Sequence, residues 1–353
     1  MAEAESHFNP RFRAGLYGVM NSVRLMSLTY KDAGVDIHEA AEIVGDIGEL
    51  CQRTQKNRQL HQAFGLFAAS YDLSGYNAPV IVTGCDGVGT KLELLLAHDL
   101  LEAAGKDLVA MSVNDILTTG GDPLLFLDYI GIAKLEPKKI TRLVAGMVEY
   151  LESCDCILAG GETAEMPGIV PDGVIELSGF CIGAAEKENL LDPRQIRIGD
   201  VVIGYASDGF HANGWSLVRR VLRENATQFS DEEIRNLLAP TRLYHDVVQS
   251  LKEAEIQARA FAHITGGGLP ENLERLFGNL GADLSVPAWE LGAVPKVLAH
   301  CDKSDVANTF NLGFGWVAIV PPEQAGAALS CGPGAVNLGE VNDSGKVRVD
   351  FAG

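Results

Sequence analysis

Apolar positions along the chain fall into two kinds of run. Pro79-Val80-Ile81-Val82, Leu124 to Ile132, Cys156 to Ala159 and Glu176 to Ala185 are short aliphatic or β-branched stretches near glycine, and read as strands. Ile37 to Gln55, Leu92 to Ala97, Asp107 to Thr119 and Pro137 to Ser153 read as helices, the last with a stripe of Leu143, Val144, Met147 and Leu151. A polar segment, Glu186 to Gly199, interrupts the pattern. Beyond it come strands Val201 to Tyr205, Ala260 to Ile264 and Trp316 to Val320, with a helix from Trp215 to Arg223. The chain is therefore divided into an extension over 1–28, a domain over 29–185 and a second domain over 186–353.

With 353 residues and 47% apolar content, the chain can bury two cores. Its formal charge of -19, with only 28 basic residues, excludes nucleic acid and anionic membrane as partners and points to a small one. No run approaches the ~18 apolar residues of a membrane span. Residues 1 to 28 mix Glu3 and Glu5 with Arg11 and Arg13 and lack the apolar core of a secretory signal. Seven cysteines, with Cys154 and Cys156 too close for a zinc knuckle, read as reduced thiols of a cytoplasmic protein.

Candidate chemistry sits where strands end. The first strand empties into Thr83-Gly84-Cys85-Asp86-Gly87-Val88-Gly89-Thr90-Lys91, a glycine-rich turn before a helix, which suits close approach of backbone N–H groups to phosphate. Thr90-Lys91 reverses the P-loop order, and Leu92 stands where a dinucleotide fingerprint needs its third glycine. Asp86 would repel a bare phosphate, and a divalent cation carried by a polyphosphate reconciles the two. Asn114 and Asp115 lie in an otherwise apolar helix, where a carboxylate needs a partner or a cation. Gly160-Gly161-Glu162-Thr163-Ala164-Glu165 offers two more carboxylates for metal or hydroxyl contacts, with solvation the alternative for Glu165. His211, between Asp208 and Asn213, can bind phosphate or move a proton; Asn213 alternatively caps the next helix. Thr265-Gly266-Gly267-Gly268 before a helix with Pro270 in its first turn suits a ribose 5′-phosphate. Lys31, in a charged glycine-containing loop, can fold over a polyphosphate, and Cys85 is the thiol to test for reactivity.

Taken in order, Tyr30-Lys31-Asp32-Ala33-Gly34-Val35-Asp36, Asp86 to Lys91, Val113-Asn114-Asp115, Phe126-Leu127-Asp128-Tyr129, Gly160 to Gly168, His211 with Asn213-Gly214, and His263 with Thr265 to Gly268 resemble the phosphoribosylformylglycinamidine cyclo-ligase family over roughly residues 29–320. The resemblance implies an α+β fold of two-layer domains: an N-terminal mixed sheet with helices that pairs with a second copy into a dimeric barrel, and a C-terminal α/β sandwich. It implies a homodimer that uses ATP and Mg2+ to close the ring of formylglycinamidine ribonucleotide, giving aminoimidazole ribonucleotide, ADP and phosphate in purine synthesis. It further implies that Asp86 and Asp115 hold the metal, with Glu162 a further candidate. Lys31 and Lys91 would neutralise the transferring phosphoryl, and His211 would contact substrate or move a proton. Asp32, Gly34, Gly87, Gly89, Thr90, Asn114, Glu162, Thr163, Asn213, Gly266, Gly267 and Gly268 would line the nucleotide and phosphate sites.

The chain departs from the family pattern at Gly120-Gly121-Asp122-Pro123, at Gln62 to Gly65, at Cys85, and around His211 at Asp208, Phe210, Ala212 and Trp215. Two sibling families share the acidic, glycine-rich ATP site. Selenophosphate synthetase needs a reactive residue in an N-terminal glycine loop, where this chain has no cysteine before Cys51. Thiamine-monophosphate kinase lacks the Gly161 to Gly168 string. A catalytically silent nucleotide-binding module is the alternative from another class.

Overall fold

The computed structural model describes residues 37–55, 60–62 and 67–353. Lys31, Asp32, Gly34 and the 1–28 extension lie outside the described residues.

In chain order the first half holds α1 (Ile37–Thr54), β1 (Leu60–Gln62), β2 (Ser70–Tyr71), β3 (Pro79–Gly87), α2 (Lys91–Ala97), α3 (Leu101–Thr118), β4 (Asp122–Ile132), α4 (Pro137–Ser153), β5 (Ile157–Glu165) and β6 (Ile175–Glu186). Four of these strands form a mixed sheet in the order β3-β6-β4-β5, in which only β4 and β5 are parallel. Side chains of β3 alternate: Ile81, Thr83 and Cys85 are exposed, while Val82, Gly84 and Asp86 turn toward the helices. The open face also carries Phe180, 42% exposed, and Ile81, 51% exposed.

The helix α3 is buried nearly all round, as a helix between two layers must be. One side lies on the sheet, where the Ser112 hydroxyl donates to the Gly179 carbonyl. Asp107, Met111, Asn114 and Asp115 fall at i, i+4, i+7 and i+8, on one face. Asp107, Asn114 and Asp115 on that face bond to groups of the chain's second half.

That half holds β7 (Val201–Ala206), α5 (Trp215–Glu224), α6 (Asp231–Leu237), α7 (His245–Glu253), β8 (Ala260–His263), α8 (Gly268–Phe277), β9 (Gly281–Val286), α9 (Val294–Leu298), α10 (Lys303–Thr309), β10 (Phe314–Val320), β11 (Val336–Asn342) and β12 (Val347–Phe351). Its strands form one sheet, β12-β9-β11-β7-β10-β8, antiparallel except for β12 on β9. Every residue of β10 is buried, as expected for a central strand covered on both faces. Phe210 packs edge-on to Trp215 and Trp289 and lies 4.8 Å from Phe310, ring centre to ring centre. Two departures from the family pattern, Phe210 and Trp215, are thus core residues.

Two glycine-rich stretches that read as loops are strands. Thr83 to Gly87 continues β3 because it pairs with β6, Asp86 opposite Gly179 and Gly87 opposite Ser178. Gly160 to Glu165 continues β5, pairing in parallel with Leu127 to Ile132 past a bulge.

Candidate active site

The turn after β3 is short, from Val88 to Thr90, with Gly89 at φ +65°. Gly87 lies in the strand, and its N–H donates to Asp86 Oδ1 at 2.7 Å. Thr90 reaches the second half of the chain: its hydroxyl lies 3.3 Å from Ser216 Oγ, and its carbonyl accepts from Arg219 at 3.2 Å. Asp86 lies within electrostatic reach of Asp115, near the C-terminal end of α3. Burial, opposed by the Gly87 N–H and reinforced by the neighbouring Asp115 charge, holds the Asp86 carboxyl above the ordinary aspartate range.

Asp115 is partly open, and its Oδ1 lies 2.9 Å from Nδ1 of buried His263 at the end of β8. Two residues on, Thr265 begins the glycine turn into α8. Asn272 ties that turn by donating to the Thr265, Gly266 and Gly268 carbonyls. Gly268, at φ +60°, lies so close to the Ala307 carbonyl that a Cβ would collide with it. Asn213 faces Gly266 from the neighbouring loop, and the Glu271 carboxylate already lies over Gly267, so Gly266 is the open member of the turn. Asp86, Gly87, Gly89, Thr90, Asp115, Asn213 and Gly266 to Gly268 are thus linked in one zone where the two sheets' domains meet.

Several residues stand elsewhere than the sequence reading places them. Lys91 is fully buried, its Nζ 2.7 Å from Asp107 Oδ2 and donating to the Ala239 carbonyl at 2.7 Å. Burial lowers its pKa, and Asp107 works in the opposite direction. Asn114 is also sealed: its amide nitrogen donates to the Arg242 carbonyl at 2.9 Å, and its oxygen accepts from Tyr244 N–H at 3.0 Å. It clamps two domains together. Glu162 and Thr163 are on β5, with Glu162 opening onto the far sheet face in a hollow shared with Cys85, Tyr129 and Phe180. Glu162 does, however, help burial raise buried Asp128 to a pKa of about 7. Glu165 is tied down, accepting from Leu135 N–H at 2.6 Å.

His211 is 1% exposed and sits at φ +57°. Its Nε2 accepts from Arg242 N–H at 3.4 Å, its carbonyl accepts from Trp215 Nε1, and burial pushes its pKa well below the ordinary value. The ring is therefore neutral at pH 7 and sealed from solvent. It lies against the backbone of Gly315, as does the Tyr244 hydroxyl, and a Cβ at 315 would strike both. Gly315→Ala is expected to cost about 1–3 kcal/mol by overpacking, read as a lower urea midpoint at unchanged m-value.

His263, Arg242 and Tyr244 are the site residues that motif reasoning underweights. His263 stood in a motif without a role, and the Arg242 and Tyr244 contributions are backbone groups, which no side-chain pattern encodes.

Asp86 and Asp115 carry only oxygen donors, which are hard. Among the described residues no group of three acidic, histidine or cysteine side chains is arranged to hold a metal. Two carboxylates fit magnesium that arrives with most of its ligands supplied by water and polyphosphate. A separate groove of about 870 Å³ starts at Gly89 and Thr90 and runs over Leu92, Ile132 and Ile175.

These features define an AIR synthase related protein: residues 68–185 match the N-terminal domain of that description and residues 197–352 the C-terminal domain. Curated phosphoribosylformylglycinamidine cyclo-ligases are similar over nearly their whole length. That of Thermosynechococcus vestitus is 40% identical over 86% of this chain and 92% of its own, and that of Crocosphaera subtropica 41% over 91% and 99%. The chain belongs to the phosphoribosylformylglycinamidine cyclo-ligase family. Among solved structures, thiamine-monophosphate kinase from Stenotrophomonas maltophilia shares the fold at TM-score 0.65 and 17% identity, covering 86% of this chain and 94% of that one. Hydrogenase maturation protein HypE in complex with ATP does so at 0.64 and 19%, covering 89% and 91%.

Proposed function

We propose that this protein catalyses the ATP-dependent closure of formylglycinamidine ribonucleotide to aminoimidazole ribonucleotide, releasing ADP and phosphate, as a step of purine synthesis. The observation that carries the site assignment is the meeting of Asp86 and Asp115 beside His263 and the Gly266 turn, with each domain supplying part. The formyl oxygen is a poor leaving group. Transfer of the γ-phosphoryl makes it an iminophosphate, after which an amidine nitrogen of the same molecule attacks the formyl carbon and expels phosphate. Little is asked of the protein beyond alignment and charge.

Asp86 and Asp115 would hold magnesium on the nucleotide, and the metal supplies charge neutralisation on the phosphates. Backbone N–H groups of the 88–90 turn and of Gly266 face the two phosphate-bearing molecules. Lys91, Asn114 and His211, all buried, act by fixing the walls of the site. Lys31, Asp32 and Gly34 remain candidates for the polyphosphate, and Glu162 and Thr163 for contacts from the far sheet face. That face, with Ile81 and Phe180 exposed, is the surface on which a second copy would pair into the barrel of a homodimer. We place the boundary of the working units at 185/186, and the enzyme in the cytoplasm; no helix of the described residues is long and apolar enough to cross a membrane.

The test is a direct assay for aminoimidazole ribonucleotide, with ATP turnover followed without and with formylglycinamidine ribonucleotide. Product formation and substrate-dependent turnover are expected. ATP hydrolysis indifferent to that substrate would assign the protein to a sibling activity, and none at all to a binding module.

A further inference from the structure

We propose that His263 is the positioning residue of Asp115, so that the C-terminal domain sets how tightly the N-terminal domain holds the metal–nucleotide pair. The inference rests on the magnesium–ATP reading of Asp86 and Asp115 above.

Asn114 is held by two backbone groups of the second domain. Its side-chain oxygen faces a backbone N–H, that of Tyr244, and its nitrogen faces a backbone carbonyl, that of Arg242. Neither backbone group can exchange its role, so the amide has one orientation. The same Asn114 nitrogen lies 3.5 Å from His263 Nε2, and since an amide NH₂ only donates, Nε2 is the acceptor. The ring proton is then on Nδ1, which lies 2.9 Å from Asp115 Oδ1 and donates to it. The tautomer of His263 is thus set by two backbone groups through one asparagine.

Burial completes the device. The His263 side chain is 2% exposed and the Asp115 side chain 44% exposed. A fixed donor from one domain therefore grips one oxygen of a carboxylate at the edge of the other, and the second oxygen is left for a ligand. A carboxylate aimed in this way gives up little rotamer freedom on binding a cation. His263 also stands two residues before Thr265, so the element that aims Asp115 leads directly into the glycine turn assigned to phosphate.

The experiment measures Mn2+ binding to the full-length protein with a non-hydrolysable ATP analogue, by the loss of the free-ion paramagnetic resonance signal. His263→Leu is expected to weaken Mn2+ binding by about 10-fold or more. His263→Asn, whose amide nitrogen takes the place of Nδ1, is expected to keep most of the affinity. His263→Phe gives the same reading as His263→Leu if the latter does not fold. A folded donor-less variant with unaltered Mn2+ affinity, or His263→Asn as weak as His263→Leu, overturns the proposal. Asp115→Asn separates the two levels. If it binds Mn2+ as tightly as the unaltered protein, the metal reading of Asp115 falls and this inference with it. If it loses Mn2+ and His263→Leu does not, only this inference falls.

Discussion

Lys91→Met is expected to lower the unfolding free energy by about 3–5 kcal/mol, because it strands a buried carboxylate. Asp107 is fully buried and is held from two domains: Lys91 from α2, and the N–H and hydroxyl of Thr241, each 2.6 Å from Oδ1. Removing the ammonium leaves two neutral donors on an uncompensated charge and frees the Ala239 carbonyl as well. The Lys91→Met/Asp107→Leu double variant is expected to recover much of the loss, since an apolar pair of similar volume replaces the charges, although Thr241 then loses its acceptor. Urea unfolding of the four proteins gives the coupling. The sequence expectation, in which Lys91 meets the transferring phosphoryl, makes a different forecast: unchanged stability and a large fall in nucleotide affinity. That outcome would return Lys91 to the phosphate.

The contrast between Lys91 and Asp86 shows what a residue pattern carries. Both lie in one stretch, and a glycine-rich run with a lysine suggests phosphate for both. Helix α2 begins at Lys91 itself, and the side chain turns inward beneath Trp215, Nζ 5.6 Å from the ring centre. Such a direction depends on α5, more than a hundred residues later, so no local pattern contains it. Helices were legible where their own apolar stripe decides them, and α4 runs from Pro137 to Ser153 as the spacing implies. Strand ends were not, because β3 and β5 extend through glycines by pairing with β6 and β4. The six-stranded sheet was half visible: β9, β11 and β12 mix exposed polar with buried apolar residues and lack a continuous apolar run. Similarly, Glu162 reads as a loop acid beside glycines, and one extra residue at the β5 bulge turns it to the far face.

Asp86→Asn is expected to reduce turnover by about 100-fold or more while making the protein more stable at pH 8. The activity loss follows from removing one of two anionic oxygen ligands. The gain in stability follows from the sign of the pKa shift. Burial and the Asp115 charge raise the Asp86 carboxyl in the folded chain, so the folded state binds this proton more tightly than the unfolded chain does. In the window above the ordinary aspartate value of 3.8 and up through the raised one, the folded state therefore holds more protons. Stability then falls as pH rises, and above the window the ionised Asp86 is a standing cost. Asparagine removes the charge and keeps an oxygen for the Gly87 N–H. Thermal unfolding of both proteins should accordingly show the variant ahead at pH 8, with the gap closing toward pH 4. Added magnesium and ATP analogue should reverse the order, because only the unaltered protein gains stability by binding them. A variant that is less stable at pH 8, or as active as the parent, would remove Asp86 from the metal site, since a carboxylate strained toward a cation must pay back its charge when that charge is deleted.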